Sequence, residues 1–317
     1  MFTNRYFYPR NIENFSKYKN LNFITISEMF SFNPLKVKYD QKLGTGVSGA
    51  VYPYQKSPDD LRWVVKHIQT PKSETLVAQI QEIVLGFSCN HPNVLPVKGF
   101  HIGLDHLKSM WDIYIKLPRM EGTLRSKMNE HIADNTQFSE EQIVQYFYEV
   151  VCGLEYLHKK KIAHRDVKLD NILIDKDNVA KVSDFGIGKF IDEETTHIEL
   201  ERAGTLFYSA PEVLDKNFQL KKRDLYKADA WSLGVVMTEL CALKTKIVNI
   251  FSSGEDKEKD LAKKIEELKG KYNDVILDLL LSLLKCDPEE RKTVEEAKKV
   301  LQENYGDLLV YFYRYLG

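Results

Sequence analysis

The stretch His164–Asn171 reads H-R-D-V-K-L-D-N, and it determines how the rest of this chain is interpreted. It lies between an amphipathic helix pattern and a short apolar run, Ile172–Ile174, that is typical of a strand. Within it, the carboxyl group of Asp166 is two residues from Lys168 and five residues from Asn171. On its own, such a run is compatible with an ordinary turn as well as with a functional loop, so its surroundings must distinguish the two.

A second motif, Asp184-Phe185-Gly186, begins thirteen residues after Asn171 and follows a strand-like run, Val179–Val182. At this spacing the two motifs resemble the catalytic loop and the metal-binding turn of the eukaryotic-type protein kinase family, Ser/Thr-directed branch. Further motifs stand where the family has them: Gly44-Thr45-Gly46-Val47-Ser48-Gly49, Ala210-Pro211-Glu212 and Asp287-Pro288-Glu289-Glu290-Arg291.

The resemblance implies an α+β, bilobal protein kinase fold. A small antiparallel β-sheet with one helix would form the N-terminal lobe, and a larger, mainly α-helical C-terminal lobe would follow. ATP would bind in the crevice between them, as ligands commonly do at such interfaces. The implied boundaries are an N-terminal extension at 1–37, a kinase domain at 38–303 and a C-terminal helix at 304–317. Within the domain, the N-terminal lobe is expected at 38–117, the hinge at 116–122 and the C-terminal lobe at 123–303.

The implied activity is transfer of the ATP γ-phosphoryl group to Ser/Thr hydroxyls of protein substrates. Phosphoryl transfer has a loose, in-line transition state, so catalysis consists mostly of positioning and charge neutralisation. By resemblance, Asp166 is the catalytic base that accepts the proton of the acceptor hydroxyl, and Lys168 lies beside the moving phosphoryl group. Thr205, which follows Gly204, is expected to hydrogen-bond Asp166 and Lys168.

The cofactors implied are ATP and Mg²⁺. Asn171 and Asp184 supply the hard oxygen ligands that Mg²⁺ prefers, while water and phosphate oxygens fill its other positions. Lys66 is assigned to the α- and β-phosphates and to a salt bridge with Glu82. The positions expected to contact ATP or its metal ion are Leu43, Gly44, Gly46, Gly49, Val51, Val64, Lys66, Asn171 and Asp184.

The glycine-rich stretch is a weak motif alone, because dinucleotide-binding turns share the pattern G-x-G-x-x-G. In those turns a helix follows, whereas Ala50–Tyr54 is β-branched and aromatic and contains Pro53. The composition therefore predicts a strand–loop–strand unit. Glycine at these positions would let the backbone approach phosphates without a Cβ in the way.

The helix predicted over Pro71–Asn90 carries two candidate partners for Lys66. Glu82 is favoured by its distance from the end of the helix, and Glu74 is the competing candidate. Gly86 lies one turn after Glu82, where the family usually has a large apolar residue. A glycine inside a helix costs about 1 kcal/mol relative to alanine, so we expect a packing gap and a mobile helix.

The hinge allows two registers. Trp111–Leu117 alternates and predicts the strand that leads to the hinge. Counting back from Leu124 makes Lys116 the gatekeeper and Arg119 the backbone donor to adenine. A slip of one residue instead makes Ile115 the gatekeeper and places Pro118, which has no N–H, at the donor position.

The segment Ile187–Ser209 occupies the place of the family's activation segment. Glu201 stands where many members carry an activating phosphosite, and Glu199 is close by. Either carboxylate would supply the anionic partner that Arg165 needs and make activity independent of phosphorylation. A solvated acidic loop is the alternative interpretation.

Composition restricts the function classes further. The chain has 317 residues, 43% hydrophobic and 29% charged, with a formal net charge of −1. That balance creates no field that would gather nucleic acid or an anionic membrane surface. The four cysteines are dispersed and suggest free thiols in a reducing compartment. No run is long enough to insert into a membrane. A cytoplasmic enzyme is expected, and nothing in the sequence indicates an oligomeric state.

Rival functions remain to be separated. A catalytically weak or silent pseudokinase scaffold would lack a catalytic group, yet Lys66, Asp166, Asn171 and Asp184 are all present. A small-molecule kinase of related fold would usually lack the Gly-Thr pair and the Ala-Pro-Glu motif. Lys168 argues against a Tyr-directed kinase. Asp170 and Glu121 predict a preference for basic residues near the acceptor.

Overall fold

Alternating and β-branched residues in the first part of the chain form a five-stranded antiparallel sheet with strand order β1-β2-β3-β5-β4. The strands are β1 (Gly44–Gly46), β2 (Gly49–Tyr54), β3 (Trp63–Thr70), β4 (Gly99–Asp105) and β5 (Met110–Pro118). The computed structural model describes residues 36–46, 49–55, 62–71, 73–105, 108–184, 189–190, 205–215, 217–249 and 254–315. All but the last two residues of the predicted N-terminal extension therefore lie outside the described residues.

One helix, α1 (Ser73–Ser88), crosses the sheet between β3 and β4. Its residue Ile83 packs with Ile68, Val97 and Ile115 in a small core on one face of the sheet. The opposite face carries a second small core of buried Val37, Tyr54 and Val65. The N-terminal lobe thus has a thin core on each side of a single sheet.

The rest of the described chain is mainly helical. Its elements are β6 (Gly122–Thr123), α2 (Leu124–Ala133), α3 (Glu140–Lys159), β7 (Ile162–Ala163), β8 (Ile172–Ile174), β9 (Ala180–Val182), β10 (Lys189–Phe190), α4 (Pro211–Leu214), α5 (Lys222–Ala242), α6 (Gly254–Glu266), α7 (Asp274–Leu283) and α8 (Val294–Tyr315). A capping box is present at the start of α3, where Ser139 Oγ accepts from Gln142 N and Gln142 Oε1 accepts from Ser139 N.

A single large core fills this C-terminal lobe. Trp231 is fully buried at its centre, and the apolar faces of α3, α5, α7 and α8 pack around it. Leu85 and Cys89, at the end of α1, also belong to this core. Because α1 packs against both lobes, it connects the thin cores of the sheet to the larger core below.

The bilobal α+β fold is therefore confirmed. All four cysteines are free, with three buried and Cys286 half-buried. Helix α8 is kinked at the non-helical residue Tyr305, so most of the predicted C-terminal helix is the part of α8 that follows the kink. No helix among the described residues is both long enough and apolar enough to cross a membrane.

The expectation of a packing gap at Gly86 is wrong. Gly86 is buried, and a Cβ built there would lie 2.3 Å from Val97 Cγ2. Val97, eleven residues further along the chain, fills the space that a side chain at position 86 would need, and its amide donates to the Gly86 carbonyl at 3.4 Å. Glycine at this position allows a close approach of two backbones.

Candidate active site

The loop His164–Asn171, which follows β7, is anchored by a buried carboxylate. Asp229, on α5, accepts hydrogen bonds from the backbone amides of His164 and Arg165, both at 2.8 Å. His158 Nε2 lies 2.8 Å from the same carboxylate. Burial alone would raise the pKa of Asp229, but His158 and the loop amides outweigh it and hold that pKa below its ordinary value. Arg165 adopts the left-handed backbone conformation, φ 71°, that this anchored turn requires.

Four polar side chains converge just beyond this anchor. Lys168 Nζ lies 2.6 Å from Asp166 Oδ2, and Thr205 Oγ1 donates to Asp166 Oδ1 at 3.0 Å. Lys168 Nζ also donates to Thr205 Oγ1 at 3.1 Å. Asn171 Nδ2 donates to the side-chain and the backbone oxygens of Asp166, each at 2.9 Å. The Asp166 carboxylate is therefore fixed by three different residues.

A second cluster lies on the sheet side of the crevice. Lys66 Nζ donates to Glu82 Oε1 at 2.9 Å and lies 3.5 Å from Asp184 Oδ1. Burial opposes the positive charge of Lys66, but the two carboxylates outweigh it and raise the pKa of Lys66 above its ordinary value. Burial raises the pKa of Glu82, and the Lys66 ammonium offsets this only in part. The carboxylate that contacts Lys66 is thus that of Glu82; the side chain of Glu74 lies outside the described residues.

The two clusters are joined by a short backbone connection. Ser183 donates from both its backbone amide and its hydroxyl to the Asn171 carbonyl, each at 2.9 Å. Asp184 follows directly and is in the left-handed region at φ 67°. His164 Nε2 contacts the Ser183 carbonyl at 2.9 Å. Ser183 was missed at the sequence level, because nothing in its local pattern marks a contact twelve residues away.

The expected nucleotide positions on the sheet share one face. Val51 lies opposite Lys66 in the register of β2 and β3, and Val64 lies two residues before Lys66. Directly opposite residues and residues two apart point to the same side of a sheet. Leu43, just before β1, is half-exposed, and its amide donates to the Val51 carbonyl at 2.9 Å.

The glycine-rich stretch forms the predicted strand–loop–strand unit, with Gly46 opposite Gly49. Val47 and Ser48, at its tip, lie outside the described residues. Gly49 has a positive φ of 147°, and a Cβ there would lie 2.5 Å from the carbonyl oxygen of His67. Gly49 is thus required by the packing of β2 on β3, whereas a Cβ at Gly44 would meet nothing within 4 Å.

The hinge register that places Lys116 at the gatekeeper position is wrong. Lys116 lies opposite Val65, on the outer face of the sheet, with its Nζ 4.3 Å from the centre of the Trp63 ring. The amide of Arg119 donates to the Arg62 carbonyl at 2.8 Å, within the extended β3/β5 pairing, so it does not face a nucleotide. Ile115, opposite Lys66, faces the crevice side and is buried, as the alternative register requires.

Two other expectations fall outside the described residues. Phe185 and Gly186 are not among the described residues. The same is true of Glu199 and Glu201, so the contact expected between one of these carboxylates and Arg165 stays a prediction. The far end of the activation segment is described. Just beyond that end, in α4, Glu212 forms two hydrogen bonds with Arg291, at 2.7 and 2.9 Å.

The chain has a sheet lobe and a helical lobe. Lys66, paired with Glu82, lies on one side of the crevice between them, and the fixed carboxylate of Asp166 lies on the other. This is the arrangement of a two-lobed phosphotransferase domain. The family model for the protein kinase domain matches residues 37–305. The chain belongs to the protein kinase family.

Similarity to curated proteins agrees with this assignment. The chain is 28% identical to the serine/threonine-protein kinase Nek1 of Mus musculus over 262 residues, 80% of this chain and 20% of that protein. It is 32% identical to Nek5 of Homo sapiens over 215 residues, 65% of this chain and 28% of that protein. It is 31% identical to an Aurora kinase of Debaryomyces hansenii over 216 residues, 68% of this chain and 48% of that protein. The chain spans about a fifth to a half of the length of these relatives.

Proposed function

We propose that this protein is an ATP-dependent protein kinase that transfers the γ-phosphoryl group to Ser or Thr hydroxyls. The observation that carries the proposal is the fixed Asp166 carboxylate, held by Lys168 at 2.6 Å and by Thr205 at 3.0 Å. A loose transition state requires little covalent chemistry from the protein, so a rigidly positioned carboxylate and ammonium are the groups that matter most.

Asp166 acts on the acceptor hydroxyl. With its two oxygens held from three directions, the carboxylate orients the incoming oxygen and receives its proton as the bond to phosphorus forms. Lys168, whose side chain is 22% exposed, contributes a positive charge at the same place. It stabilises the charge that develops on the transferred group.

The residues present fit Mg²⁺ bound together with ATP. Asn171 commits its amide nitrogen to Asp166, which leaves its amide oxygen as the atom that would coordinate the ion, and Asp184 offers a carboxylate that is 35% exposed. Both are hard oxygen ligands of the kind that Mg²⁺ prefers. One carboxylate and one amide leave most of the coordination positions of the ion to water and to the phosphate oxygens of ATP. Bound there, Mg²⁺ would neutralise charge on the phosphate groups.

Lys66 and Glu82 orient the nucleotide. Lys66 is positioned by Glu82 on α1, and it faces the same side of the sheet as Val51 and Val64. If the adenine ring binds against these two valines, the phosphate groups of ATP would extend towards the Lys66 ammonium. Because α1 also packs on the C-terminal lobe, the Lys66–Glu82 contact reports that the two lobes are assembled.

The acceptor class is inferred from two features. Thr205 contacts both Asp166 and Lys168, and the Lys168–Thr205 pair resembles Ser/Thr-directed rather than Tyr-directed members of the family. Two of the similar proteins named above, Nek1 and Nek5, are also called serine/threonine-protein kinases. Peptides presenting Ser, Thr or Tyr in one shared context will distinguish the classes.

The test is transfer of the ATP γ-phosphate to a generic protein substrate with Mg²⁺, using phosphatase-treated protein and the variant Asp166→Ala. The matched control is Asp177→Ala, which removes an exposed carboxylate from the turn between β8 and β9. Label on Ser and Thr in the wild type and the control, with none in Asp166→Ala, is expected.

Two outcomes would overturn the proposal. Equal labelling by wild type and Asp166→Ala would assign the activity to another group or to a contaminant. No labelling with the metal ion and ATP present, before and after treatment with an activating kinase, would favour a binding scaffold. A nucleotide-dependent rise in melting temperature would then show whether the scaffold still binds ATP.

A further inference from the structure

Arg125 lies across the acidic edge of the candidate acceptor site. Its Nη2 donates to the Tyr208 hydroxyl at 2.7 Å and lies 3.8 Å from Glu239 Oε2. Its Nε lies 3.5 Å from Asp170 Oδ2. Asp170 follows Asp166 by four residues in the loop that holds the candidate base, and Tyr208 follows Thr205 by three. Asp166 and Thr205 contact each other at the centre of the site, and Arg125 contacts a residue close in sequence to each of them.

The fold holds Arg125 at this position. It is the second residue of α2, whose start is fixed because β6 pairs with β8, with Thr123 opposite Leu173. Thr123 caps α2, since its Oγ1 accepts from Ser126 N at 3.1 Å. The strand β8 directly follows the loop that contains Asp170, so the pairing places the beginning of α2 beside that loop.

Arg125 is the counter-ion of the buried Glu239 carboxylate. The Glu239 side chain is 1% exposed and accepts from the Tyr208 hydroxyl at 2.6 Å and from the Lys246 amide at 2.5 Å. Two neutral donors satisfy its oxygens, and Arg125 is the cation in the group. Asp170, at 52% exposed, is the solvent-facing member. Without Arg125, the Asp170 and Glu239 carboxylates would lose the cation that they share at the edge of the candidate acceptor site.

We propose that Arg125 is a specificity-determining residue that occupies the subsite where a basic side chain of a protein substrate would otherwise bind. The kinase then gains no catalytic efficiency from an arginine near the Ser or Thr of the acceptor. This reverses the preference for basic residues that Asp170 predicted from the sequence. The inference rests on the proposed kinase function and names the substrate class of the same site: acceptors that need no basic residue beside the Ser or Thr.

The test uses a peptide set with one Ser, in which Arg or Gln is placed in turn at each flanking position, with kcat/KM compared between the two. Wild type is expected to show Arg-to-Gln ratios near one at every position. Arg125→Ala is expected to raise the ratio by about tenfold at one or more positions, because a substrate guanidinium would gain charge-assisted hydrogen bonds with the vacated carboxylates. Lys127→Ala, which removes an exposed cation of the same helix paired with Glu130, is the control that should leave the ratios unchanged.

The outcomes separate the two proposals. A wild type that favours Arg by tenfold or more, or an Arg125→Ala variant with ratios equal to those of wild type, overturns the specificity inference and leaves the kinase function standing. A wild type that phosphorylates no peptide overturns both. If Arg125→Ala does not fold, Arg125→Gln keeps a donor for Tyr208. The increase in the Arg-to-Gln ratio of kcat/KM for Arg125→Gln must then disappear when Asp170→Asn is added. An increase that persists in the double variant contradicts the proposal that Asp170 forms part of the subsite.

Discussion

Two ion pairs, one in each lobe, differ in how completely their charges are satisfied. In the C-terminal lobe, Arg291 and Glu212 are fully buried and form two parallel hydrogen bonds. The remaining Arg291 donors reach the carbonyls of Lys285, Lys227 and Cys286, and the guanidinium lies 5.1 Å from the centre of the Trp231 ring. In the N-terminal lobe, Lys66 and Glu82 share one hydrogen bond, and Glu82 Oε2 is buried with no hydrogen-bond partner among the described residues.

The difference separates a structural pair from one that is available for chemistry. A buried charge needs nearly all of its hydrogen-bonding capacity filled, and the Arg291–Glu212 pair meets that requirement. Lys66 has a second carboxylate within 3.5 Å and keeps 12% of its side chain exposed towards the crevice. An incompletely satisfied pair at the edge of a crevice has capacity left for a ligand.

The largest effect on stability is expected from Arg291→Ala. It leaves the Glu212 carboxylate buried without a counter-ion, which should lower the free energy of unfolding by about 3–5 kcal/mol. Urea unfolding of purified protein measures this loss. The control is Arg223→Ala, which breaks an exposed contact with Glu289 and should cost less than about 1 kcal/mol. Equal losses in the two variants would show that the buried pair is not the stronger structural element.

Lys66→Met tests the other side of the comparison. Activity should fall on the order of 10²–10³-fold, as when one preorganised electrostatic contact is removed. The free energy of unfolding should change by less than about 1.5 kcal/mol, because Glu82 can take up a proton when its partner is lost. Steady-state kinetics and urea unfolding of the same preparation give both numbers. A stability loss as large as that of Arg291→Ala would contradict the distinction drawn between the two pairs.

The convergence of side chains in the loop His164–Asn171 could be predicted because its information is local. The offsets among Asp166, Lys168 and Asn171 are short, and one turn of backbone brings those side chains together. Glu82 could be placed by counting along a helix, whose period is regular. In both cases the chain itself carries the geometry from one residue to the next.

The sequence left two hinge registers open for a physical reason. A slip of one residue in a strand moves every side chain to the other face. The alternation of Ile113, Ile115 and Leu117 already indicated which side chains face inward, and counting back from Leu124 contradicted it. Lys116 is accommodated on the outer face by the rings of Trp63 and Tyr54.

Contacts across long stretches of sequence were also out of reach. Arg125 and Tyr208 are separated by 83 residues, and no pattern around either one indicates the other. The same holds for the partner of Gly86, since Val97 follows a turn whose path the sequence does not define. Such contacts depend on how whole elements pack, which residue spacing does not report.

Glu149 extends the comparison to a buried carboxylate that has no cation in contact among the described residues. Its oxygens accept from the Ala180 amide at 2.7 Å and from Gln145 Nε2 at 3.1 Å. Burial raises the pKa of Glu149 to about 7, more than the two hydrogen bonds lower it. Between its ordinary pKa in the unfolded chain and about 7, only the folded protein holds this proton. Its contribution to stability is therefore complete at low pH and is lost as the pH rises through about 7.

Glu149→Gln mimics the protonated carboxyl and removes this dependence. Between pH 5 and pH 8, the stability of the variant relative to wild type should rise by roughly 2–3 kcal/mol. Urea unfolding at several pH values measures it, and the difference between the two proteins cancels titrations that they share. Parallel curves would mean that Glu149 is ionised in the folded protein throughout this range.

The smallest expected effect is that of Gly86→Ala, and its sign distinguishes two views of α1. If the helix had a gap at this position, alanine would stabilise it by about 1 kcal/mol through helix propensity alone. The structure instead places Val97 Cγ2 2.3 Å from the new Cβ, and overpacking of this kind costs about 1–3 kcal/mol. We therefore expect a net loss of about 1 kcal/mol. A double-mutant cycle with Val97→Ala should recover part of it, because the smaller side chain makes room for the added methyl group. Stabilisation by Gly86→Ala alone would restore the view that the helix carrying Glu82 is loosely packed.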